Sequence, residues 1–276
     1  MTRIKICGVT NLEDAERAAD RGAWAIGLIF HRPSPRACDP VVATQIGPAM
    51  RRRVEVVGVF VNEPLEELAR TAELSNLSLL QLHGDEGPSY CAEAARRTGC
   101  RVIKAARVRD SASVQALRAF HVDYQLLDTH VTGLPGGTGE TFAWELAKLR
   151  RRSVPLIISG GLTADNVAEA VSATRPFAVD VATGTEASPG RKDDARLAAF
   201  FRAVEAADAP DAPPPPVAAL DVPASAPLPT PDPSLIREAD PSLAPAWHPS
   251  AAPPDPAPDP TPDPELAITR PQETAA

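Results

Sequence analysis

The chain is 276 residues long, 43% hydrophobic and 23% charged, with a formal net charge of −8, a composition ordinary for a soluble globular protein. The acidity is local: residues 210–276 hold 21 of the 31 prolines and ten acidic against two basic residues, so the first 209 residues balance 26 acidic against 26 basic ones and argue against a nucleic-acid surface. No apolar stretch of signal-peptide or membrane-span length is present, and Cys7, Cys38, Cys91 and Cys100 lack CxxC spacing, so a cytoplasmic protein with reduced thiols and no membrane segment is expected.

The first strand spans residues 3–8, with Ile4 and Ile6 on one face of the alternation and Arg3, Lys5 and Cys7 on the other. A helix over 12–21 follows, then strand 23–30, helix 39–50, strand 54–61 and helix 64–75. The alternation continues through strand 77–84, helix 88–97, strand 101–108, helix 113–119, strand 124–128 and helix 143–150. It ends with strand 155–160, helix 163–173, strand 177–182 and helix 193–204. Runs such as "VEVVGVFV" and "PLIISGG" suit strands covered on both faces, as a parallel sheet requires. Eight βα units close most naturally into a (β/α)8 TIM barrel over residues 1–205. The alternative is an open doubly wound sheet, but no GxGxxG opens the first helix.

From residue 206 to 276 the chain turns to Ala, Pro and Asp, with "PTPDP" at 229–233 and again at 260–264. Such a stretch cannot bury enough surface to offset its ordering entropy. A disordered, proline-rich acidic tail is expected, acting as a tether or an appendage. Leu235, Ile236, Leu243 and Trp247 read either as scattered residues of that tail or as a short motif that docks on an unknown partner, the former being the leading reading.

In a barrel the ends of the strands build the site. Here they carry Cys7-Gly8, the "HRPSPR" loop with Arg36, Gln81-Leu82-His83-Gly84 and Asp128. Beyond them lie "GLPGGTGETF" (133–142), "SGGL" (159–162) and "DVATGTEASPG" (180–190). Glycine clusters after strands seven and eight, each followed by a helix, are where a barrel commonly binds phosphate through backbone N–H groups. Gly160, Gly161, Thr183 and Gly184 are therefore the candidate phosphate residues, implying a phosphorylated small-molecule substrate. Cys7 reads either as a small buried hydrophobe or as a general base at the functional end of strand one, beside a glycine that lets a ligand approach. In the second case it is expected to be exposed at a cleft and to be the most readily alkylated of the four thiols. Asp128, across the mouth, is either a loop cap or the matching acid. Lys5, deeper on the face of Cys7, needs a neutralising partner, for which Asp180 on the neighbouring strand is the candidate. Lys104 is expected to belong to the same interior charge set.

The motifs "KICGVTN", "SPR", "VGVFVN", "LLQLHG", "LLDT" followed by "GGTGETFAW", "ISGGL" and "VDVATGTEASPGRKD" run in order over about residues 3–205. Together they resemble phosphoribosylanthranilate isomerase, the barrel enzyme of tryptophan biosynthesis. The resemblance implies a cofactor-free, metal-free Amadori rearrangement of N-(5-phosphoribosyl)anthranilate to the 1-amino-1-deoxyribulose phosphate. By position, Cys7 matches the family's general base, Asp128 its general acid and Arg36 its contact to the anthranilate carboxylate. His83 is either a structural histidine or a group that holds or polarises the thiol. The chain departs from the family at Ala182-Thr183, where a serine- or asparagine-rich stretch is common, and at Ala143, where an aspartate is common. Two other readings compete: the related sugar isomerisation of histidine biosynthesis, alone or combined with this one, against which Cys7 speaks, and a barrel that has lost catalysis and serves as a scaffold.

Overall fold

The structure, a computed structural model, describes residues 1–128, 146, 147, 149 and 153–209. Eight parallel strands close a barrel in the order of the sequence: β1 (Arg3–Cys7), β2 (Ala25–Ile29), β3 (Glu55–Phe60), β4 (Leu79–Leu82), β5 (Arg101–Arg107), β6 (Tyr124–Asp128), β7 (Leu156–Ser159) and β8 (Ala178–Val181). The ring is sealed by β1 against β8, with Lys5 in register with Asp180, while on its other side β1 sets Cys7 in register with Gly27. The helices between them are α1 (Leu12–Asp20), α2 (Pro40–Met50), α3 (Leu65–Leu74), α4 (Pro88–Thr98), α5 (Ser111–Ala116), α6 (Val167–Thr174) and α7 (Asp194–Ala207).

Local chemistry starts four of the helices within two residues of where the sequence suggested, while α6, expected from residue 163, begins at Val167. The side chains of Asn11, Asp39, Asp110 and Asp193 each accept a backbone N–H from the first turn of the helix that follows, pairing a donor the helix cannot satisfy itself. Alternation along the strands then divides the core into two layers. Ala25, Val57, Leu79, Ile103, Leu126 and Ile157 fill the barrel interior, while Ile6, Ile26, Leu28, Phe60 and Val102 pack outward against the helices. At the N-terminal end Trp24, Tyr124 and Phe177 form an aromatic cluster with centroids 5.1–5.4 Å apart. There Asp208, just past α7, accepts hydrogen bonds from Thr2, so the last helix of the barrel is tied to the first strand.

Each of the eight strands lies within its expected span. The expected helix 113–119 divides into α5 and a 3-10 turn at Leu117–Ala119. A two-stranded antiparallel hairpin, β9 (Glu186–Ser188) with β10 (Arg191–Lys192), follows a 3-10 turn at Thr183–Thr185 where only a loop was expected. The glycine-rich segment 133–142 and residues 143–145, 148 and 150 of the expected helix 143–150, Ala143 among them, lie outside the described residues, as does the tail from 210 onward.

Candidate active site

Cys7 ends β1 on the interior face but is only 6% exposed, which corrects the expectation of a thiol open to solvent; Cys100 is the most accessible of the four, all of which are free. Burial pushes the Cys7 thiol above its ordinary value, opposed chiefly by the ammonium of Lys5. Lys5 is fully buried and donates to Asp180 Oδ1 at 2.8 Å, the expected pairing. Its ammonium also lies close to the Cys7 thiol: a Cβ built on Gly27 would be 3.1 Å from Lys5 Nζ and 2.8 Å from Cys7 Sγ. The space over Gly8, which the sequence reading left for a ligand, is taken by the Arg36 side chain: a Cβ on Gly8 would lie 2.9 Å from Arg36 Cδ.

Asp128 ends β6, and its carboxylate Oδ2 lies 3.4 Å from His83 Nε2. His83 Nδ1 is in turn 3.0 Å from the Gln81 side-chain amide, and Gln81 is buried inside the barrel two residues earlier on β4. With Gln81 Nε2 as the donor, the neutral imidazole carries its proton on Nε2, facing Asp128. The neighbours of His83 are thus the candidate acid and Gln81 rather than the thiol.

Arg36 is held by a carboxylate that sequence reasoning missed. Its Nε lies 3.0 and 2.9 Å from the two oxygens of Glu186, and a second nitrogen of the guanidinium donates to Thr183 Oγ1 at 3.2 Å. Glu186 also receives Lys192 Nζ at 3.2 Å and the Gly190 N–H at 3.3 Å. Lys192 continues to the backbone oxygens of Cys7 (2.6 Å) and Ala182 (3.1 Å). The hairpin therefore ties the end of β1, the turn after β8 and Arg36 into one buried network. Burial lowers the Lys192 ammonium while Glu186 opposes that shift. The signal for this role was the pair of opposite charges in "EASPGRK", six residues apart, which a two-stranded hairpin brings face to face.

Asp128, Gly160, Gly161, Thr183 and Gly184 line one cleft of about 610 Å³, together with Asp180. Gly160 and Gly161 have φ of +100° and +65°, a left-handed backbone that glycine adopts without strain. Gly184 is needed for close packing: a Cβ there would lie 2.1 Å from the Leu162 carbonyl oxygen, so the loops after β7 and β8 touch only because it has none. Cys7 is not part of the lining, and its link to the cleft runs through Lys5 and Asp180. Lys104, by contrast, leaves the expected interior set. Its neighbours Ile103 and Ala105 point inward, so Lys104 points toward the helices, where it donates to Glu86 at 2.7 Å and to the Gly84 carbonyl at 2.8 Å. Among the described residues no group of three or more His, Cys, Asp and Glu side chains is placed to hold a metal ion, and no helix is long and apolar enough to cross a membrane.

Residues 4–203 match the family model for N-(5'-phosphoribosyl)anthranilate isomerase. Curated relatives of that name include proteins from Geobacter metallireducens, 46% identical over 75% of this chain and 100% of that protein, and from Acidithiobacillus ferrooxidans, 47% identical over 74% and 98%. Among solved structures, the phosphoribosylanthranilate isomerase of Thermotoga maritima superposes with a TM-score of 0.66 at 39% identity, covering 74% of this chain and 99% of that one. A phosphoribosylanthranilate isomerase in complex with reduced 1-(o-carboxyphenylamino)-1-deoxyribulose 5-phosphate superposes with a TM-score of 0.64 at 36% identity, with the same coverage.

Proposed function

This chain belongs to the N-(5'-phosphoribosyl)anthranilate isomerase family, and from that premise we propose that its barrel mouth carries out the Amadori rearrangement of tryptophan biosynthesis with Asp128 as acid and Cys7 as base. Asp128 protonates the furanose ring oxygen as the nitrogen lone pair breaks the C1–O bond, opening the ring to an iminium. The iminium acidifies C2–H, and the Cys7 thiolate removes that proton to leave an enolamine, which ketonises to the 1-amino-1-deoxyribulose phosphate. The substrate's phosphate sits on the backbone of Gly160, Gly161 and Gly184, with Thr183 beside it. The Arg36 guanidinium reads the anthranilate carboxylate, a pairing that suits its planar fork. His83 steadies Asp128 by donating from Nε2.

The observation that carries this reading is that Asp128 and the two glycine loops line one cleft, with Asp128 in register with Ser159 beside Gly160. A proton donor and an anion-binding backbone then meet on one sugar phosphate. We assign the reaction to the cytoplasm, where the four free thiols stay reduced, and residues 1–205 to the catalytic domain, with 206–276 as an appended tail. The test is an isomerase assay on the purified protein with phosphoribosylanthranilate generated in place. Formation of the ketose product is expected; a folded protein without turnover would overturn the assignment.

A further inference from the structure

Two strands aim buried side chains at one point beneath the mouth, and a third leaves room for them. Cys7 and Lys5 share the interior face of β1, Asp180 stands opposite Lys5 on β8, and Gly27 stands opposite Cys7 on β2. A Cβ on Gly27 would lie 2.8 Å from Cys7 Sγ and 3.1 Å from Lys5 Nζ. The thiol and the ammonium therefore converge in the space that this glycine leaves empty. Lys5 Nζ donates to Asp180 Oδ1 at 2.8 Å, and the other oxygen of Asp180 accepts from Ser159 Oγ at 3.3 Å, so the carboxylate is anchored on its far side as well.

A lysine this deep keeps its charge only with a partner. Asp180 supplies that partner, and the space over Gly27 brings the sulfur close to the same ammonium. We propose that Lys5, fixed and kept charged by Asp180, is a positioning residue that forms a buried ion pair with the Cys7 thiolate over Gly27. The proposal rests on the reading of Cys7 as the base. In the proton balance Lys5 stays an ammonium throughout. The resting thiol gives its proton to solvent, the thiolate takes the C2 proton of the substrate to become a thiol again, and Lys5 neutralises the sulfur in the ionised half of that cycle. The charged groups that face Cys7 are Lys5 from β1, Asp180 from β8 and Lys192 from β10; Asp180 opposes ionisation of the thiol, while the two lysines favour it.

Burial with a competing anion nearby makes the ammonium decisive, because without it a thiolate at this depth would be unpaired. The test uses the double variant Lys5→Met/Asp180→Asn of the full chain, which removes both charges so that no orphan carboxylate is left buried. Cys7 ionisation is read from the pH dependence of its alkylation by iodoacetamide, with peptide mapping to separate it from Cys38, Cys91 and Cys100. The alkylation midpoint of Cys7 should rise by at least about one pH unit, and kcat should fall about tenfold or more with KM changed by less than about threefold. Gly27→Ala, which wedges a methyl group between sulfur and ammonium with both charges retained, should move the midpoint in the same direction.

A folded variant of either kind with an unchanged midpoint would overturn the proposal. In the unmodified protein, where folding is not at issue, the ¹⁵N resonance of the Lys5 side chain should be that of an ammonium and should shift at the pH where Cys7 titrates. A neutral amine, or a resonance indifferent to Cys7, overturns it equally. If the midpoint moves in the double variant and kcat does not, the ion pair stands and the assignment of Cys7 as the base falls.

Discussion

A thiol acts as a base only in its ionised fraction and a carboxyl group as an acid only in its protonated one, so the pH profile of a Cys7–Asp128 pair has a characteristic shape. Over any range in which the first fraction grows as the second shrinks, their product, and with it kcat, stays flat. Above the titration of the thiol only the loss of the acid remains, and kcat falls. Since burial raises the Cys7 thiol, that fall is expected beyond the ordinary thiol range of about 8.5. Asp128→Asn removes the acid's contribution: its residual rate should be at least ~10²-fold lower and should climb about tenfold per pH unit through neutrality. Cys7→Ala should cost a similar factor in kcat, with substrate binding kept in both variants. A residual Asp128→Asn rate that does not vary with pH would dissociate the thiol from the chemistry. Burial also reverses the order of thiol reactivity that the sequence suggested: iodoacetamide should label Cys100 before Cys7, as peptide mapping would detect. For Arg36, Glu186 already neutralises the guanidinium, so the substrate's carboxylate gains a reader rather than an unpaired cation. Arg36→Met should therefore raise KM by about tenfold, ~1.4 kcal/mol, rather than by the larger factor of an orphaned charge. Equal relative preference for a decarboxylated substrate analogue in wild type and variant would remove Arg36 from that role.

The hairpin of β9 and β10 acts as one element because its two buried charges cannot be separated cheaply. Without Glu186, Lys192 loses its carboxylate; without Lys192, the carbonyls of Cys7 and Ala182 lose their donor. Lys192→Met should destabilise the barrel by about 1–3 kcal/mol, the cost of leaving the buried carbonyls of Cys7 and Ala182 without their donor while Arg36 still pairs with Glu186. Adding Glu186→Gln should cost less than it does alone, since its contact with Lys192 is already gone and only Arg36 then loses a partner. Urea unfolding of the wild type, both single variants and the double variant gives the coupling, and strict additivity would show that the two side chains do not act together. The same hairpin marks where the sequence stops being legible. The eight strands stand out because a parallel strand buried on both faces is a continuous apolar run with β-branched residues, and "VEVVGVFV" needs no partner to be recognised. Strands of three and two residues in "EASPGRK" carry no period, and their role follows from a tertiary charge pair that spacing alone does not reveal. Lys5 and Asp180 were legible as partners because barrel closure makes first and last strands neighbours. The partner of Lys104 was not, because Glu86 sits in a loop and the face of Lys104 depends on which neighbours point inward.

At the scale of the whole chain, the barrel finishes its own closure before the acidic stretch begins. Asp208 accepts from both the backbone N–H and the hydroxyl of Thr2, fastening the end of α7 to the first strand, and every residue assigned a role at the site, Lys192 the last of them, lies before α7 begins. The residues beyond 209 bring prolines and aspartates, and their composition offers no apolar surface sufficient to extend a core. A chain ending at Ala209 should therefore keep the Thr2–Asp208 fastening and turn over within roughly twofold of the full-length protein, since the removed segment carries no residue assigned a role at the site. The boundary itself makes a second, opposite expectation. Asp208→Ala in the full-length chain should lower stability by about 1–2 kcal/mol through two lost hydrogen bonds at a helix end, without changing KM. Thermal unfolding and steady-state kinetics on the two proteins separate the effects. A tenfold fall in kcat for a folded chain ending at Ala209 would show that the acidic segment reaches the barrel mouth, and would require the division of the chain near residue 205 to be redrawn.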